Sequence, residues 1–481
     1  MKYANRPLAL LVAGALVVTL AGCSSSAVST LTASSAAGNV LSATESEVSL
    51  EGATAFTFTD SGISAAEGDY NGYTIEGTAL TISAAGTYVV SGSCADGSIT
   101  VKADTENVTL VLNGLELTST TTAPIVCGKS TGVTIAVQSG TQNTLADTTA
   151  NNKDNENASA DAESAVLKCK DGAQVVLCGS GTLNISAGDD ALHSDYTLNI
   201  GAEDTAGPAI TISTCNEALE GATLNVFSGT IDITATDDCL NAANGDLTDY
   251  DFSMNISGGT ITAYTSGGDG FDSNGSMTIS GGSITVWTAN AADNQPLDAD
   301  GTITITGGTV LAAGGSAGMG YTIDASQGYV TYGGGMGADS TVRLTKDSAF
   351  AITDASGNTV YSGTALCDAN YVFYCAQDVT ADSDYTLTTG STTLTTATAQ
   401  TGKSGASFGG MGGGQNGMTP PDGANGQTPP AMNGSAPGGQ APDGQQGGTP
   451  PEKPTGTPSG NPPQMPAQNN ATSQAETAAD V

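Results

Sequence analysis

The residues of this chain that could do chemistry are carboxylates. From Asp171 to Val342 there are 21 acidic residues and no Lys or Arg. Many recur beside an apolar anchor. The blocks read Asp189-Asp190-Ala191-Leu192, Asn216-Glu217-Ala218-Leu219, Asp237-Asp238-Cys239-Leu240 and Gly268-Asp269-Gly270-Phe271, with a looser copy at Asp293-Asn294-Gln295-Pro296-Leu297-Asp298. The anchors at 192, 219, 240, 271 and 297 are 27, 21, 31 and 26 residues apart. If successive blocks stack at the ~4.8 Å spacing of paired strands, their carboxylates repel unless a proton or a cation lies between them. Calcium–oxygen distances of about 2.3–2.6 Å match half that spacing. Hard oxygen donors without a His or Cys cluster favour calcium over zinc or copper. The candidate ligands are Asp189, Asp190, Glu217, Asp237, Asp238, Asp269, Asp272, Asp293, Asp298 and Asp300. The competing reading is a solvated acidic edge that keeps the protein soluble.

His193 is the sole His, so no Ser-His-Asp or Cys-His site can be built elsewhere; it reads as a surface turn residue. Tyr264 and Trp287 each lie three residues after an apolar strand position, Ile261 and Ile284, and are 23 residues apart. The alternation of the strands points both rings outward, where a stacked pair would suit sugar faces. The alternative is that a loop or a cap covers them.

The elements that must position these groups are short strands. Thr223-Leu224-Asn225-Val226, Ser253-Met254-Asn255-Ile256, Ser276-Met277-Thr278-Ile279 and Thr302-Ile303-Thr304-Ile305 alternate polar and apolar, as a strand with one buried face does. Gly181-Thr182-Leu183-Asn184-Ile185 reads as a member of the same set. Second strands follow, with inward positions at 231, 261, 284 and 310, spaced 30, 23 and 26. A period in the twenties made of strands and tight turns predicts a solenoid. The Leu-rich consensus of leucine-rich repeats is absent, and the spacing excludes a nonapeptide calcium array. The expected fold is therefore all-β: a right-handed parallel β-helix with three short strands per coil. It spans residues 48–340, with a C-terminal β cap over 341–401 containing Tyr361, Tyr371, Phe373 and Tyr374.

The acidic-Asp-Gly/Ala-Leu/Phe turns and the Ile-Ser-Gly-Gly-Thr-Ile strands resemble a bacterial family of secreted carbohydrate-binding β-helix domains, similar to pectate-lyase-like β-helices. Gly188-Asp189-Asp190-Ala191-Leu192-His193-Ser194 is the closest copy; Asn216-Glu217 departs from the paired Asp, and 293–298 carries an extra residue. The resemblance covers residues 50–340. It implies calcium sites and binding of acidic polysaccharide such as polygalacturonate, without catalysis. It also suggests a lyase as an alternative; a structural adhesin or wall protein whose calcium only stiffens the solenoid is the other reading open to these residues. β-Elimination of a uronate needs a strong base, typically Lys or Arg. Lys168, Lys170, Arg343 and Lys346 only flank the acidic stretch. Hydrolysis by a carboxylate pair is formally open, but nothing singles out one pair.

The ends are of another kind. Lys2 and Arg6 precede an apolar run to Leu20, a secretory signal over residues 1–22. Leu20-Ala21-Gly22-Cys23 resembles a bacterial lipobox, with Cys23 lipidated and the chain exported, anchored to the membrane and facing outward. Residues 23–47 read as a flexible tether and 402–481 as a disordered tail that holds 13 of the 17 prolines. The whole chain has 481 residues, 65 Gly and a net charge of −37, which excludes a nucleic-acid binder with a basic footprint. It is expected to act as a monomer. Eight Cys follow Cys23, and an exported chain permits either disulfides or free thiols; Cys127 and Cys169 occupy matching blocks.

Overall fold

The computed structural model describes residues 48–66, 71–203, 207–289, 294–315, 322–333 and 342–404. The signal segment, Cys23, the tether, Asp293 and the tail beyond 404 lie outside the described residues. What is described is all-β: thirty-two strands and one short 3-10 turn, Thr149–Asn151. Twenty-eight strands join one large mixed sheet, and four form a second.

The large sheet is built from rows of parallel strands whose register follows the sequence period. Ile231, Ile261, Ile284 and Val310 are direct partners in succession. So are Leu224, Met254, Met277 and Ile303. In the third row Leu192, Leu219, Leu240 and Phe271 stack in order, and a parallel bridge adds Leu297. All thirteen side chains are buried in one apolar cluster. One residue of slip would turn each strand's apolar set outward, so this burial fixes the register. Polar rows lock as well: the Asn225 amide donates to Asn199 Oδ1 at 2.9 Å and Asn255 donates to Asn225 Oδ1 at 3.0 Å.

One strand belongs to a different row from the one expected. Thr182–Ser186 pairs with Ala209–Thr214, which leads into the row of Ile231 and Ile261; it does not stack on Thr223–Val226. Leu198 takes that place. Both rows share the same alternation, so the pattern alone does not distinguish them.

Before each second strand the chain turns through glycine. Gly259, Gly282 and Gly308 have φ of +87°, +87° and +82°. A Cβ on the preceding Gly258, Gly281 or Gly307 would lie 2.1–2.3 Å from a carbonyl oxygen of the row below. No other residue meets both demands.

At the C-terminal side, Tyr371–Cys375 pairs antiparallel with both Thr309–Gly314 and Thr322–Gly333, ending the parallel growth. The second sheet comprises Ala349–Thr353, Thr359–Thr364, Asp384–Thr389 and Thr392–Thr398. Its apolar face closes over Trp287, Leu311, Val330 and Tyr332. The last strand, Gln400–Lys403, pairs with Thr322–Gly333. The eight described Cys are buried free thiols, and Cys127 and Cys169 are direct register partners.

Candidate functional site

Two rows of polar side chains flank the Leu192–Leu297 anchors. In the first, Asp190, Glu217, Asp238 and Asp269 each precede a residue whose N–H donates to the next member's carbonyl: Ala191 to Glu217, Ala218 to Asp238 and Cys239 to Asp269, at 2.9–3.2 Å. Gly270 continues the series to Gln295. In the second row strand register aligns Lys168, His193, Glu220, Asn241 and Asp272. Asp298, next to the bridged Leu297, follows. Because the anchors are locked in the core, the backbone holds these polar groups close together before any ligand arrives.

The rows produce two clusters. Oxygens of Asp269, Asp272 and Asp298 lie within 4.8 Å of one another. The backbone reinforces them: Asp238 Oδ1 accepts the Asp269 N–H at 2.6 Å, Asp269 Oδ1 accepts the Gln295 N–H at 2.5 Å, and Asp298 Oδ1 accepts the Ala299 N–H at 2.8 Å. The Gln295 amide donates to Asp298 Oδ2 at 3.3 Å, while its Oε1 is buried and has no hydrogen-bond partner among the described residues. In the second cluster, donor atoms of Asp190, His193 and Glu220 also lie within 4.8 Å of one another.

Electrostatics follows from crowding and partial burial. Desolvation, then the charge of neighbouring carboxylates, pushes Asp269 and Asp238 up to about 7 despite their backbone hydrogen bonds. Desolvation and Asp298 push Asp272 up to about 6. Asp298 is raised too, chiefly by desolvation. Glu217, desolvated and facing Glu220 and Asp190, rises to about 9. For His193 burial acts downward, but hydrogen bonds to Asp190, Asp195 and Glu220 outweigh it and raise the imidazole to about 11. Asp195 moves the other way: desolvation is outweighed by hydrogen bonds from His193 and Lys168, so its carboxyl falls well below the usual range.

Of the expected ligands, Asp269, Asp272 and Asp298 come together directly. Asp238 touches that group through the Asp269 backbone, and the charges of Asp237 and Asp300 act on it. Asp190 joins His193 instead, and Glu217 faces Asn241, whose amide donates to it at 3.0 Å. Asp189 is further off, in a polar groove of about 370 Å³ with Asn152, Asp154, Thr214 and Asn216. Asp293 is outside the described residues. His193 is not a plain surface turn residue: it is half-buried among three carboxylates. Glu220, Asp195 and Lys168 were not anticipated as members of this network. The signal was in the period, since Glu220 occupies the position of His193 one block later.

The aromatic pair requires a correction. Tyr264 and Trp287 are register partners on adjacent strands, as their spacing requires. Yet Trp287 is 0% exposed, edge-on to Phe350 at 5.7 Å, and Tyr264 is half-buried against the same cluster. Both rings do leave the inner core; what they meet is the C-terminal sheet rather than solvent. Among the described residues, the exposed ring is Tyr196, at 37% and T-shaped on Tyr250 at 5.2 Å.

A family model for carbohydrate-binding domain-containing proteins matches residues 76–402, more than half of the chain. The chain belongs to this carbohydrate-binding domain family. A solved structure described as the polysaccharide lyase-like protein from C. thermocellum, a gadolinium derivative, is 25% identical with a TM-score of 0.41, over 52% of this chain and 96% of that one. No curated protein matches the chain.

Proposed function

We propose that this carbohydrate-binding domain holds acidic polysaccharide, of the polygalacturonate type, through calcium and without cleaving it. The observation that carries the reading is the Asp269–Asp272–Asp298 cluster with its raised carboxyls. Three carboxylates, with the unpartnered Gln295 Oε1 beside them, make an oxygen-only donor set that fits calcium. When bound, calcium supplies the positive charge that this face lacks. A polyuronate approaching a chain of net charge −37 is otherwise repelled. The role of the chain is to hold the three carboxyls rigidly, which the Asp238, Gln295 and Ala299 contacts do, and to leave coordination positions for the ligand's own carboxylates. The groove lined by Asp189 and Asn216 and the exposed ring of Tyr196 are offered as sugar contacts.

The parallel register of all three rows supports reading them as coils of a right-handed parallel β-helix. A non-catalytic role is supported by the placement of Lys168: it is buried, and its Nζ lies 2.6 Å from Asp195, so it is engaged by a carboxylate rather than presented to a substrate. The N-terminal sequence supports export and lipid attachment at Cys23, with the acidic face outward. A second reading, in which calcium only stiffens the sheet, draws on the contacts by which Asp238 and Asp269 tie successive members of the first row together.

The test is affinity electrophoresis of the full chain through gels containing polygalacturonate. With calcium, migration should be retarded, and Asp269→Asn with Asp298→Asn should remove the retardation while leaving the fold intact by circular dichroism. Retardation unchanged in the double variant would overturn the proposed site. Retardation absent throughout, with calcium still raising the unfolding temperature, would favour the stiffening role.

A further inference from the structure

The second cluster has a different chemistry from the first. The His193 Nε2 lies 3.3 Å from Asp195 Oδ1, and the same oxygen lies 2.6 Å from Lys168 Nζ. Asp195 is thus a fixed partner for Nε2, which leaves Nδ1 as the ring nitrogen facing the cluster. The other ring nitrogen, Nδ1, then faces Asp190 Oδ2 at 3.2 Å and makes a closer contact with Glu220 Oε2. Nδ1 and the two carboxylate oxygens crowd together in a way that calls for a positive centre among them, either a proton on Nδ1 or a bound cation. One position along the row, Asn241 is 8% exposed; its amide nitrogen is taken by Glu217, and its Oδ1 has no hydrogen-bond partner among the described residues. Asn241 is the direct register partner of Glu220.

We propose that Asp190, His193 and Glu220 form a second cation site, taking a borderline divalent transition ion such as zinc rather than calcium. One imidazole nitrogen with two carboxylates is a donor set for zinc, cobalt or manganese, whereas calcium takes oxygen. Two carboxylate charges balance the ion. The Asp195–Lys168 pair behind the ring is neutral as a unit and orients the imidazole, as outer carboxylates do at histidine-ligated metals. The domain thus carries two sites on one pair of rows, one hard and one borderline. The second stands whether or not the calcium reading does.

The sole histidine makes the test direct. The full chain, stripped with chelator and free of any histidine tag, is titrated with Co²⁺ and followed by visible absorption and proton NMR. One equivalent should produce a hyperfine-shifted, solvent-exchangeable imidazole N–H, which can only be the Nε2 proton of His193. The signal should persist in excess calcium and in Asp269→Asn, and zinc should displace it. Asp195→Asn should weaken Co²⁺ binding about 10–100-fold, and His193→Gln should abolish the shifted resonance. Failure of Co²⁺ to shift any imidazole resonance would overturn the site and leave an imidazolium as the positive centre. Binding that survives His193→Gln unchanged would overturn it as well, by locating the ion elsewhere.

Discussion

A carboxylate set beside other carboxylates on a partly buried face gives up its proton late. For Asp269, Asp238 and Asp272 the folded-state value lies above the ordinary 3.8, at about 7, 7 and 6. Between those limits the folded chain keeps protons that the unfolded chain has lost. Stability from these groups is therefore complete below about pH 4 and is lost as pH rises to about 7. Glu217 extends the loss toward about pH 9. In chelator, the thermal midpoint should fall across this window, and Asp269→Asn should flatten the fall; a midpoint rising from pH 4 to 7 would contradict the assignment. Much of this was legible in the sequence, because a period in the twenties brings Asp269, Asp272 and Asp298 together without further information. The surroundings of His193 were not. Its partners come from three distances along the chain, at Asp190, Asp195 and Glu220, and only the bulge between Ser194 and Thr197 turns Asp195 toward the ring.

Strands and corners obey simpler rules, and most of them could be read in advance. The inward positions 231, 261, 284 and 310 and the anchors 192 to 297 pair as their spacing required. The corner at Gly282 is the sharpest test of that stacking. Its φ is +87°, and a Cβ would lie 2.9 Å from the carbonyl oxygens of Gly258 and Gly259. Gly282→Ala should cost about 1–3 kcal/mol in chemical denaturation, against little change for Ser356→Ala, which lies in an exposed turn. What alternation could not reveal is which face another element covers. It sent Trp287 outward, and the C-terminal sheet then buried it. Trp287→Ala should destabilise the chain by about 3–5 kcal/mol. Trp287→Phe should cost much less, since the indole Nε1 has no hydrogen-bond partner among the described residues to lose. As the sole Trp, it should also keep its fluorescence unchanged when saccharide is added; quenching by saccharide would return the ring to the binding face.

At the scale of the whole molecule the governing fact is charge. A chain with 48 acidic and 11 basic residues presents to a polyuronate a surface of its own sign. The proposed binding of such a ligand is therefore expected to be conditional on a cation, and the ordered carboxyl cluster is where that condition would be set. A ligand that binds only the folded state also stabilises it, by about 2.7 kcal/mol at a hundred times its dissociation constant. Calcium should thus raise the unfolding temperature and admit polysaccharide together. The measurement that bears most directly on the central claim is equilibrium depletion of the full chain by polygalacturonate, with calcium and with chelator, while the polymer is assayed for unsaturated products. The account predicts depletion with calcium, none with chelator, and no unsaturated product. Equal depletion in both conditions, or a calcium-dependent release of unsaturated product, would contradict it.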